Sequence, residues 1–310
     1  MDLRYGENPH QKAALYLQPN TNSPLKNLKR LHGRELSLVN ITDINAGLAS
    51  IRMFSEPAAV VIKHNNPCGI ALGGTAKEAL QRAIQADAQS AFGGIIVLNV
   101  PVDVDATSVV AAFKDEKHGN IDIIAAPTIS DSALSMLVNL RKSMGIYSFE
   151  DLAQKSLLQD IKFVNGGFIL QTADDVLDGF GKWEVATGKK PTEEQITQMK
   201  LAWKFISKIK SNAVIVVDNK LPMTRGIGTG QTSRIRATKI ALEQAGEYAK
   251  GAILASDSFF PFADSVELAA NKGISAIVQQ GESINDQASI DAANKAGIVM
   301  VLTHRRAFWH

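Results

Sequence analysis

The sequence of 310 residues contains a single cysteine, Cys68, which excludes an internal disulfide framework and a zinc site built from several cysteines. Its charges nearly cancel, with 33 lysines and arginines against 31 acidic residues, and this argues against a nucleic-acid-binding protein. No apolar run approaches the roughly 18 residues that a membrane-spanning helix needs. The polar stretch after Met1 also lacks the apolar core of a secretory signal. These absences predict a cytoplasmic protein without disulfides and without a nucleic-acid or membrane partner.

The rest of the composition is that of a globular protein, with 45% hydrophobic and 21% charged residues. At roughly 150 residues per domain, the length predicts two domains. Short apolar runs bounded by turn residues predict buried strands at 58–62, 94–98 and 121–125. Apolar residues at helical spacing predict helices at 75–88 and 130–144. Continuous apolar strands joined by helices predict a parallel sheet with helices on both faces.

The second half of the chain repeats this order of elements. Strands are predicted at 213–217, 251–255, 276–278 and 298–302, and helices at 233–245, 265–271 and 289–296. A charged helix is predicted to begin near Thr192, and the join between the halves lies within 145–205. The repeated order predicts an α/β protein made by duplication, with a first repeat at 1–160 and a second at 161–310.

Three polar segments, at 63–69, 210–212 and 257–264, fall where an open parallel sheet is expected to bind ligands. Lys63 and His64 form the sharpest pair, because a histidine titrates near neutral pH and a neighbouring lysine supplies a cation. The alternative is a solvated lysine beside a histidine without a catalytic role. Cys68 follows in a predicted tight turn at 66–69, where it is either a nucleophile or a small buried side chain.

Two other segments each allow two interpretations. The glycine-rich loop at 226–230 precedes a predicted helix, so it is either an anion-binding loop or a site of close backbone packing. Phe259, Phe260 and Phe262 form either a core plug or an apolar slot for a flat ring, with Asp264 as a hydrogen-bond acceptor at the edge of that slot. A deaminase-type zinc site needs Pro-Cys-x-x-Cys, and no second cysteine follows Cys68, so we expect no zinc.

Several longer motifs resemble those of one enzyme family. In the first half they are Arg4-Tyr5-Gly6-Glu7-Asn8-Pro9-His10-Gln11, Leu31-His32-Gly33-Arg34-Glu35-Leu36-Ser37, Lys63-His64-Asn65-Asn66-Pro67-Cys68-Gly69 and Ser90-Ala91-Phe92-Gly93-Gly94. In the second half they are Lys210-Ser211-Asn212-Ala213, Gly226-Ile227-Gly228-Thr229-Gly230-Gln231-Thr232-Ser233-Arg234, Ser256-Asp257-Ser258-Phe259-Phe260-Pro261-Phe262-Ala263-Asp264 and Arg306-Ala307-Phe308-Trp309-His310. They resemble the 5-aminoimidazole-4-carboxamide ribonucleotide (AICAR) transformylase domain, which is the C-terminal half of a bifunctional purine-biosynthesis protein.

The resemblance implies two cytidine-deaminase-like three-layer α/β/α repeats without zinc. It implies formyl transfer from the co-substrate 10-formyltetrahydrofolate to the 5-amino group of AICAR, with active sites shared across a homodimer. No transition metal is expected, and a monovalent cation is left open. Because the first motif lies close to Met1, we expect the chain to lack the inosine monophosphate (IMP) cyclohydrolase domain, whose reaction would then fall to a separate protein.

The reaction requires an oxyanion to be stabilised, a proton to leave the amine and a proton to reach the folate nitrogen. We assign proton transfer to His64, the oxyanion or proton donation to Lys63, and orientation of the carboxamide or of His64 to Asn212. The residues that the resemblance matches to the nucleotide are Arg4, Tyr5, Phe92, Gly93, Asp122 and Arg306. Those that it matches to the folate are Arg234, Ile235, Phe259, Pro261 and Asp264.

Three alternatives stay open at this point. The chain is a fragment of the bifunctional enzyme, a nucleotide-binding module without catalysis, or a formyltransferase that uses formate and ATP. The sequence contains no Walker loop to support the last of these. The segment at 101–120 is also longer than the family pattern leads us to expect, and we interpret it as an insertion before Asp122.

Overall fold

The computed structural model describes residues 1–19, 23–150, 152, 159–174 and 180–310. Within these residues it is a mixed α/β fold with two six-stranded sheets and a separate two-stranded hairpin. The strands of the first sheet are β1 (Lys29–His32), β2 (Ala58–Lys63), β3 (Asn66–Leu72), β4 (Gly94–Leu98), β5 (Ile121–Ala126) and β6 (Gly145–Ser148). The hairpin consists of β7 (Gln159–Val164) and β8 (Gly167–Thr172). The strands of the second sheet are β9 (Glu184–Val185), β10 (Val214–Val217), β11 (Thr224–Gly228), β12 (Ile253–Ser256), β13 (Ala276–Gln279) and β14 (Val299–Leu302).

The two large sheets have the same strand order and the same pattern of strand directions. The first runs β3-β2-β4-β5-β6-β1, and the second runs β11-β10-β12-β13-β14-β9. In each, the second strand is antiparallel to both of its neighbours, the next three strands are parallel, and the last pairing is antiparallel. The edge strands β3 and β11 lie side by side, with an antiparallel bridge between Ala71 of β3 and Met223, the residue before β11. The two sheets therefore lie edge to edge.

Helices cover both faces of each sheet. Those between residues 29 and 148 are α1 (Leu38–Ile51), α2 (Ala76–Ala86), α3 (Ala88–Ala91), α4 (Val104–Lys117) and α5 (Asp131–Leu140). Those of the second part are α6 (Glu193–Ile206), α7 (Arg234–Ala245), α8 (Asp264–Asn271) and α9 (Asp286–Ala296). Helices α1 and α6 share one buried apolar cluster with the inner faces of both sheets. The outer faces have their own clusters, with α2, α4 and α5 on the first sheet and α7, α8 and α9 on the second.

The elements that the apolar pattern predicted are confirmed where that pattern is strong. Every residue of β2 except Lys63 is fully buried, as a continuous apolar run requires. Helix α2 buries Ala79, Leu80, Ala83 and Ile84, and its N-cap Thr75 accepts a hydrogen bond from the amide of Glu78. Thr192 likewise caps α6.

Several predictions of local structure are wrong. The sheets are mixed and not purely parallel. The hairpins β2–β3 and β10–β11 place antiparallel strands at one edge of each sheet, and β1 and β9 pair antiparallel at the other edge. Residues 66–69 lie in β3 and do not form the turn, which is His64-Asn65. The helix predicted at 130–144 ends at Leu140, and helix α4, within 101–120, was not predicted. Pro67 is accepted in β3 because this strand lies at the edge of its sheet.

The loop predicted at 226–230 is largely a strand. Gly226 and Gly228 belong to β11, and a Cβ at either position would overlap a carbonyl oxygen of α7. Gly230 alone has a positive φ, of 64°. Close packing therefore explains the first two glycines, and the anion-binding interpretation of this segment is not supported.

Candidate active site

The turn between β2 and β3 carries the Lys63-His64 motif. Lys63 pairs with Asn66, so the turn consists of two residues, His64 and Asn65, with φ values of 54° and 61°. Positive φ at both central residues is the geometry that suits a two-residue hairpin. His64 is exposed, and the Asn65 amide donates to Oδ1 of Asp43 over 2.6 Å. The turn therefore exposes His64 to solvent, while its backbone is hydrogen-bonded to Asp43.

Asp43 is a buried acid in the middle of α1, and only 5% of it is exposed. Burial raises the pKa of its carboxyl group above the usual value, and the Asn65 amide and the charge of His64 act in the opposite direction. No local pattern in the sequence predicts this contact, because Asp43 lies 22 residues before Asn65 and outside the recognised motifs.

Lys63 links the turn to the start of β4. Its Nζ donates to the carbonyl oxygen of Phe92 over 2.9 Å. Phe92 is 52% exposed, and Gly93 follows with a φ of 73° and an amide that donates to the carbonyl oxygen of Asn120. Lys63, Phe92 and Gly93, which the sequence predicted as site residues, therefore lie together.

Asp122 is held by two arginines. Its carboxylate oxygens accept from Nη1 of Arg34 over 2.7 Å and from Nη1 of Arg141 over 2.8 Å. Both pairs are partly exposed, with 27% of the Asp122 side chain accessible. These two arginines form a positive cluster at the amino end of β5, beside Gly93.

Arg4 and Tyr5 lie close to this cluster. Nη2 of Arg4 donates to the Tyr5 hydroxyl over 2.8 Å, and the Tyr5 carbonyl oxygen accepts from the amide of Leu38 at the start of α1. Burial raises the pKa of Tyr147 to about 12, and Arg4 and Arg34 are among the cations that oppose this rise. The Arg4 amide donates to the Leu36 carbonyl oxygen over 2.8 Å, and the Tyr147 hydroxyl donates to the Arg34 carbonyl oxygen, so Arg4 and Arg34 lie in one region. Two guanidinium groups make this region suited to an anion.

The second half contributes a more buried group of residues. Nη1 of Arg234 forms a short ion pair with Oδ1 of Asp257, and the two side chains are 7% and 0% exposed. Oδ2 of Asp257 accepts from the Ala213 amide over 2.9 Å. Next to Ala213, Nδ2 of Asn212 donates to the carbonyl oxygen of Gln231 over 2.7 Å. Arg234, which was predicted to bind folate, thus has its guanidinium committed to a buried carboxylate.

The C-terminal segment returns to this group. The Ala307 amide donates to the Asp257 carbonyl oxygen over 2.8 Å, and the Arg306 guanidinium lies 4.5 Å from the centre of the Phe308 ring. The Ser211 amide donates to the Trp309 carbonyl oxygen over 2.9 Å. Arg306 and Asn212 therefore belong to one region of the second half.

Asn66 joins the two groups. Its Nδ2 donates to the His64 carbonyl oxygen over 3.1 Å. Its Oδ1 accepts from Oγ1 of Thr229 over 2.8 Å and from the Lys210 amide over 3.4 Å. Asn66 lies within a recognised motif but was not singled out as a site residue. Through it, the turn that carries His64 abuts the segment that carries Asn212.

The phenylalanine motif divides between the two interpretations. Phe260 is fully buried, with its amide bound to Oε1 of Gln279 over 3.0 Å. Phe259 is half-buried, and Phe262 is 62% exposed. The Phe260 ring is therefore part of the hydrophobic core, and the rings of Phe259 and Phe262 leave apolar surface accessible to a ligand.

Asp264 and Ile235 lie on helices beside this motif. Asp264 is the exposed first residue of α8, and Oδ1 accepts from the adjacent Ser265 amide over 2.6 Å. It is not the N-cap, which is Ala263. Ile235 is half-buried in the first turn of α7.

Cys68 is a buried side chain in β3. Burial raises the pKa of its thiol to about 12, and Asp87 adds to this effect. A thiol that stays protonated is a poor nucleophile. The structure therefore supports the interpretation of Cys68 as a small packed residue.

The described residues contain neither a metal-site cluster nor a helix able to cross a membrane. Over 1–19, 23–150, 152, 159–174 and 180–310, no group of three His, Cys, Asp or Glu side chains has the arrangement of a metal site. In the same part of the chain, none of the helices combines the length and apolar character that crossing a bilayer requires.

Comparisons with known proteins point to one family. The model of the family described as AICARFT/IMPCHase bienzyme matches residues 1–244. The chain is 45% identical to the bifunctional purine biosynthesis protein PurH of Halalkalibacterium halodurans over 312 residues, which covers 100% of this chain and 59% of the relative. The protein of the same name from Listeria monocytogenes is also 45% identical, over 99% of this chain and 59% of the relative. The chain thus spans about 59% of the length of these curated relatives.

Proposed function

The chain belongs to the AICARFT/IMPCHase bienzyme family, and from this membership we propose that it transfers a formyl group from 10-formyltetrahydrofolate to the 5-amino group of AICAR. The amine nitrogen bonds to the formyl carbon, and the bond from this carbon to N10 of the folate breaks. The amine loses one proton and N10 gains one, so the products are formyl-AICAR and tetrahydrofolate. We also propose that an IMP cyclohydrolase closes the product to IMP.

The observation that carries this proposal is the meeting of two motifs at Asn66. His64 and Lys63 lie on one side of Asn66, and Lys210 and Asn212 lie on the other. In the proposed reaction His64 moves the proton, Lys63 stabilises the developing oxyanion, and Asn212 orients the carboxamide. Arg4, Tyr5, Phe92, Gly93, Asp122 and Arg306 bind the nucleotide.

The folate is proposed to lie against the second half. Phe259 and Pro261 supply apolar surface, Ile235 adds to it, and Asp264 offers its exposed carboxylate to the pterin edge. Arg234 acts by keeping Asp257 and the Ala213 backbone in place, which is how its buried ion pair supports the site. A monovalent cation stays a prediction, which turnover in potassium and in tetramethylammonium buffers would test.

A spectroscopic assay for tetrahydrofolate release tests the function directly. Release that requires both AICAR and 10-formyltetrahydrofolate is the expected result. Activity with formate and ATP in place of the folate would contradict the proposal, as would tight AICAR binding without any turnover.

We further propose that the halves are cytidine-deaminase-like repeats at 1–160 and 161–310. Matching strand order and strand directions in the two sheets support this. The sheets themselves are built from residues 29–148 and 184–302, and the division at 160/161 falls inside β7.

A homodimer is the third part of the proposal. The β7–β8 hairpin exposes apolar side chains that lie outside the three buried clusters, among them Phe163 at 85% and Phe168 at 63%. An isolated two-stranded hairpin is marginally stable, and an exposed apolar patch commonly marks an interface. We propose that a second copy of the chain covers this hairpin.

Subunit mixing tests whether the sites are shared. If Arg4 reaches a site whose His64 belongs to the partner subunit, mixing inactive His64→Ala and Arg4→Ala subunits restores part of the activity. Mixed dimers that form but stay inactive would indicate sites built within one chain.

A further inference from the structure

The two residues of the β2–β3 turn have a backbone that most side chains avoid. His64 and Asn65 both have positive φ, and neither is a glycine. Histidine and asparagine enter this region more readily than other residues, but still less readily than the ordinary regions. The turn therefore needs support from its surroundings to hold His64 in one place.

Asp43 supplies a contact to this turn from a position that is otherwise unfavourable for an aspartate. It lies within α1, where aspartate is a poor helix former, and it is 5% exposed. A buried carboxylate is tolerated only when it is hydrogen-bonded. Its bond from the Asn65 amide, at 2.6 Å, meets that requirement.

Gly47, one helical turn after Asp43, allows α1 to pack closely against the first sheet. A Cβ at Gly47 would lie 2.9 Å from Cβ of Val97 in β4, so the helix rests directly on the sheet. Residues four apart share one face of a helix, which directs Asp43 toward the same sheet. Asp43 is thereby placed under the end of β2, where the turn begins.

We propose that Asp43 is a positioning residue for formyl transfer: by accepting the Asn65 amide, it keeps the turn in its left-handed conformation and His64 aligned with the substrate. This inference rests on the proposed function. Asp43 does not touch the substrate, so its loss lowers kcat through His64 and leaves nucleotide binding by the arginines almost intact.

Two substitutions separate the hydrogen bond from the rest of the side chain. Asp43→Ala removes the acceptor, and we expect kcat to fall about ten- to a hundredfold while KM for AICAR changes by less than about threefold. Asp43→Asn keeps an oxygen that accepts the Asn65 amide, and we expect it to retain kcat within about fivefold of the wild type. A purely structural role would not produce this rescue together with an unchanged KM.

The second half offers a matched control. Asp218 is a buried aspartate at the turn after β10, and its Oδ1 accepts from the amides of Lys220 and Leu221 over 2.8 and 2.9 Å. Asp218→Ala removes these two amide bonds and also the ion pair between Oδ2 and Nε of Arg225 at 2.6 Å, so it is at least as disruptive to the equivalent hairpin, far along the chain from His64. We expect a lower melting temperature and an unchanged kcat.

A third variant tests whether Asp43 acts by holding the conformation of the turn. Glycine adopts positive φ without a Cβ clash, so Asn65→Gly in the Asp43→Ala background is expected to recover most of the lost kcat. If Asp43→Ala has the kcat of the wild type, or if the double variant stays as slow as Asp43→Ala alone, the positioning role is overturned.

Amide hydrogen exchange at Asn65 makes the test independent of the reaction. We expect this amide to be protected in the wild type and to exchange at least about tenfold faster in Asp43→Ala. Unchanged exchange would overturn the inference even if formyl transfer is confirmed. A wild-type enzyme that does not release tetrahydrofolate would instead refute the proposed function, and the exchange result would stand by itself.

Discussion

The two sheets share one strand order, yet their polar candidate site residues lie at opposite ends of equivalent strands. In the first sheet Lys63 is the last residue of β2, and His64 follows it. In the second sheet Lys210 and Asn212 precede the amino end of β10, the strand with the same place in the order. Equivalent strands of the two sheets therefore do not carry their candidate site residues at the same end.

The arrangement of the two sheets explains this difference. Strands β3 and β11 meet antiparallel, with the Leu72 amide bound to the Pro222 carbonyl oxygen at one end and Asn66 bound to Thr229 at the other. An antiparallel meeting brings the carboxyl end of β2 beside the amino end of β10. When two sheets of the same topology are joined edge to edge in this way, a single site between them is formed from the carboxyl end of a strand in one sheet and the amino end of the equivalent strand in the other.

The halves also differ in how they hold their charges, and the largest effect we expect comes from this difference. Asp257 is fully buried with Arg234, whereas Asp122 is 27% exposed with Arg34 and Arg141. Breaking a buried pair leaves an unpaired charge and costs about 3–5 kcal/mol. Asp257→Ala should therefore lower the free energy of unfolding by about that amount.

Urea unfolding of Asp257→Ala and Asp122→Ala, measured side by side, checks this prediction. Partly exposed pairs contribute about 1 kcal/mol or less, so Asp122→Ala should be the milder variant. Equal losses in the two variants would mean that burial of the charges does not distinguish the halves.

The sequence predicted strands well where burial alone determines them. The apolar runs of β2, β4 and β5 are covered on both faces, and no tertiary detail is needed to identify them. Strand β3 was missed because Pro67 and Gly69 favour a turn locally. Its edge position accepts the proline, and a Cβ at Gly69 would overlap the Ala83 carbonyl oxygen of α2. Both reasons depend on neighbours that are distant in the chain.

The candidate site shows the same limit. Lys63 and His64 are adjacent, so their motif could be recognised from the sequence. Asp43 and Asp257 could not be assigned roles, because one acts on a turn 22 residues away and the other on Ala213, 44 residues away. Contacts of this kind are fixed by packing of helices and strands, which no local pattern encodes.

The second prediction compares the two hairpin turns. His64→Ala should lower turnover at least about a hundredfold while AICAR still binds, because removal of a general acid–base group typically costs 10²–10⁴-fold. Lys220 lies in the turn of the equivalent hairpin β10–β11, at the other end of the contact between β3 and β11. Lys220→Ala should leave turnover unchanged. Steady-state kinetics and AICAR calorimetry on both variants check this prediction. Wild-type turnover in His64→Ala would show that His64 does not carry the proton.

The third prediction asks whether the second half binds the folate. Asp264 is exposed, and a hydrogen bond to a charged group contributes roughly 1.5–3 kcal/mol. Asp264→Ala should weaken folate binding about ten- to a hundredfold and change AICAR affinity little. Asp131 is the exposed first residue of helix α5 on the first sheet and provides the matched control, with no expected effect on folate. Calorimetry that shows unchanged folate affinity in Asp264→Ala, together with a lower melting temperature, would assign Asp264 to helix stability alone.

The smallest effects concern the helices α1 and α6, which occupy equivalent places and both begin with a capping box. Loss of an N-cap hydroxyl costs about 0.5–2 kcal/mol. Ser37 is 2% exposed, and its hydroxyl both accepts from the Asn40 amide and donates to Oδ1 of Asn40, so its removal breaks two hydrogen bonds at a buried position. We therefore expect the free energy of unfolding to fall by about 1.5–2 kcal/mol in Ser37→Ala. In Thr192→Ala, where the cap is exposed, we expect it to fall by about 0.5–1 kcal/mol. Thr192→Ser keeps the hydroxyl and should match the wild type. Denaturant midpoints measure all three variants, and a larger loss in Thr192→Ala than in Ser37→Ala would show that burial of the cap does not set its contribution in this fold.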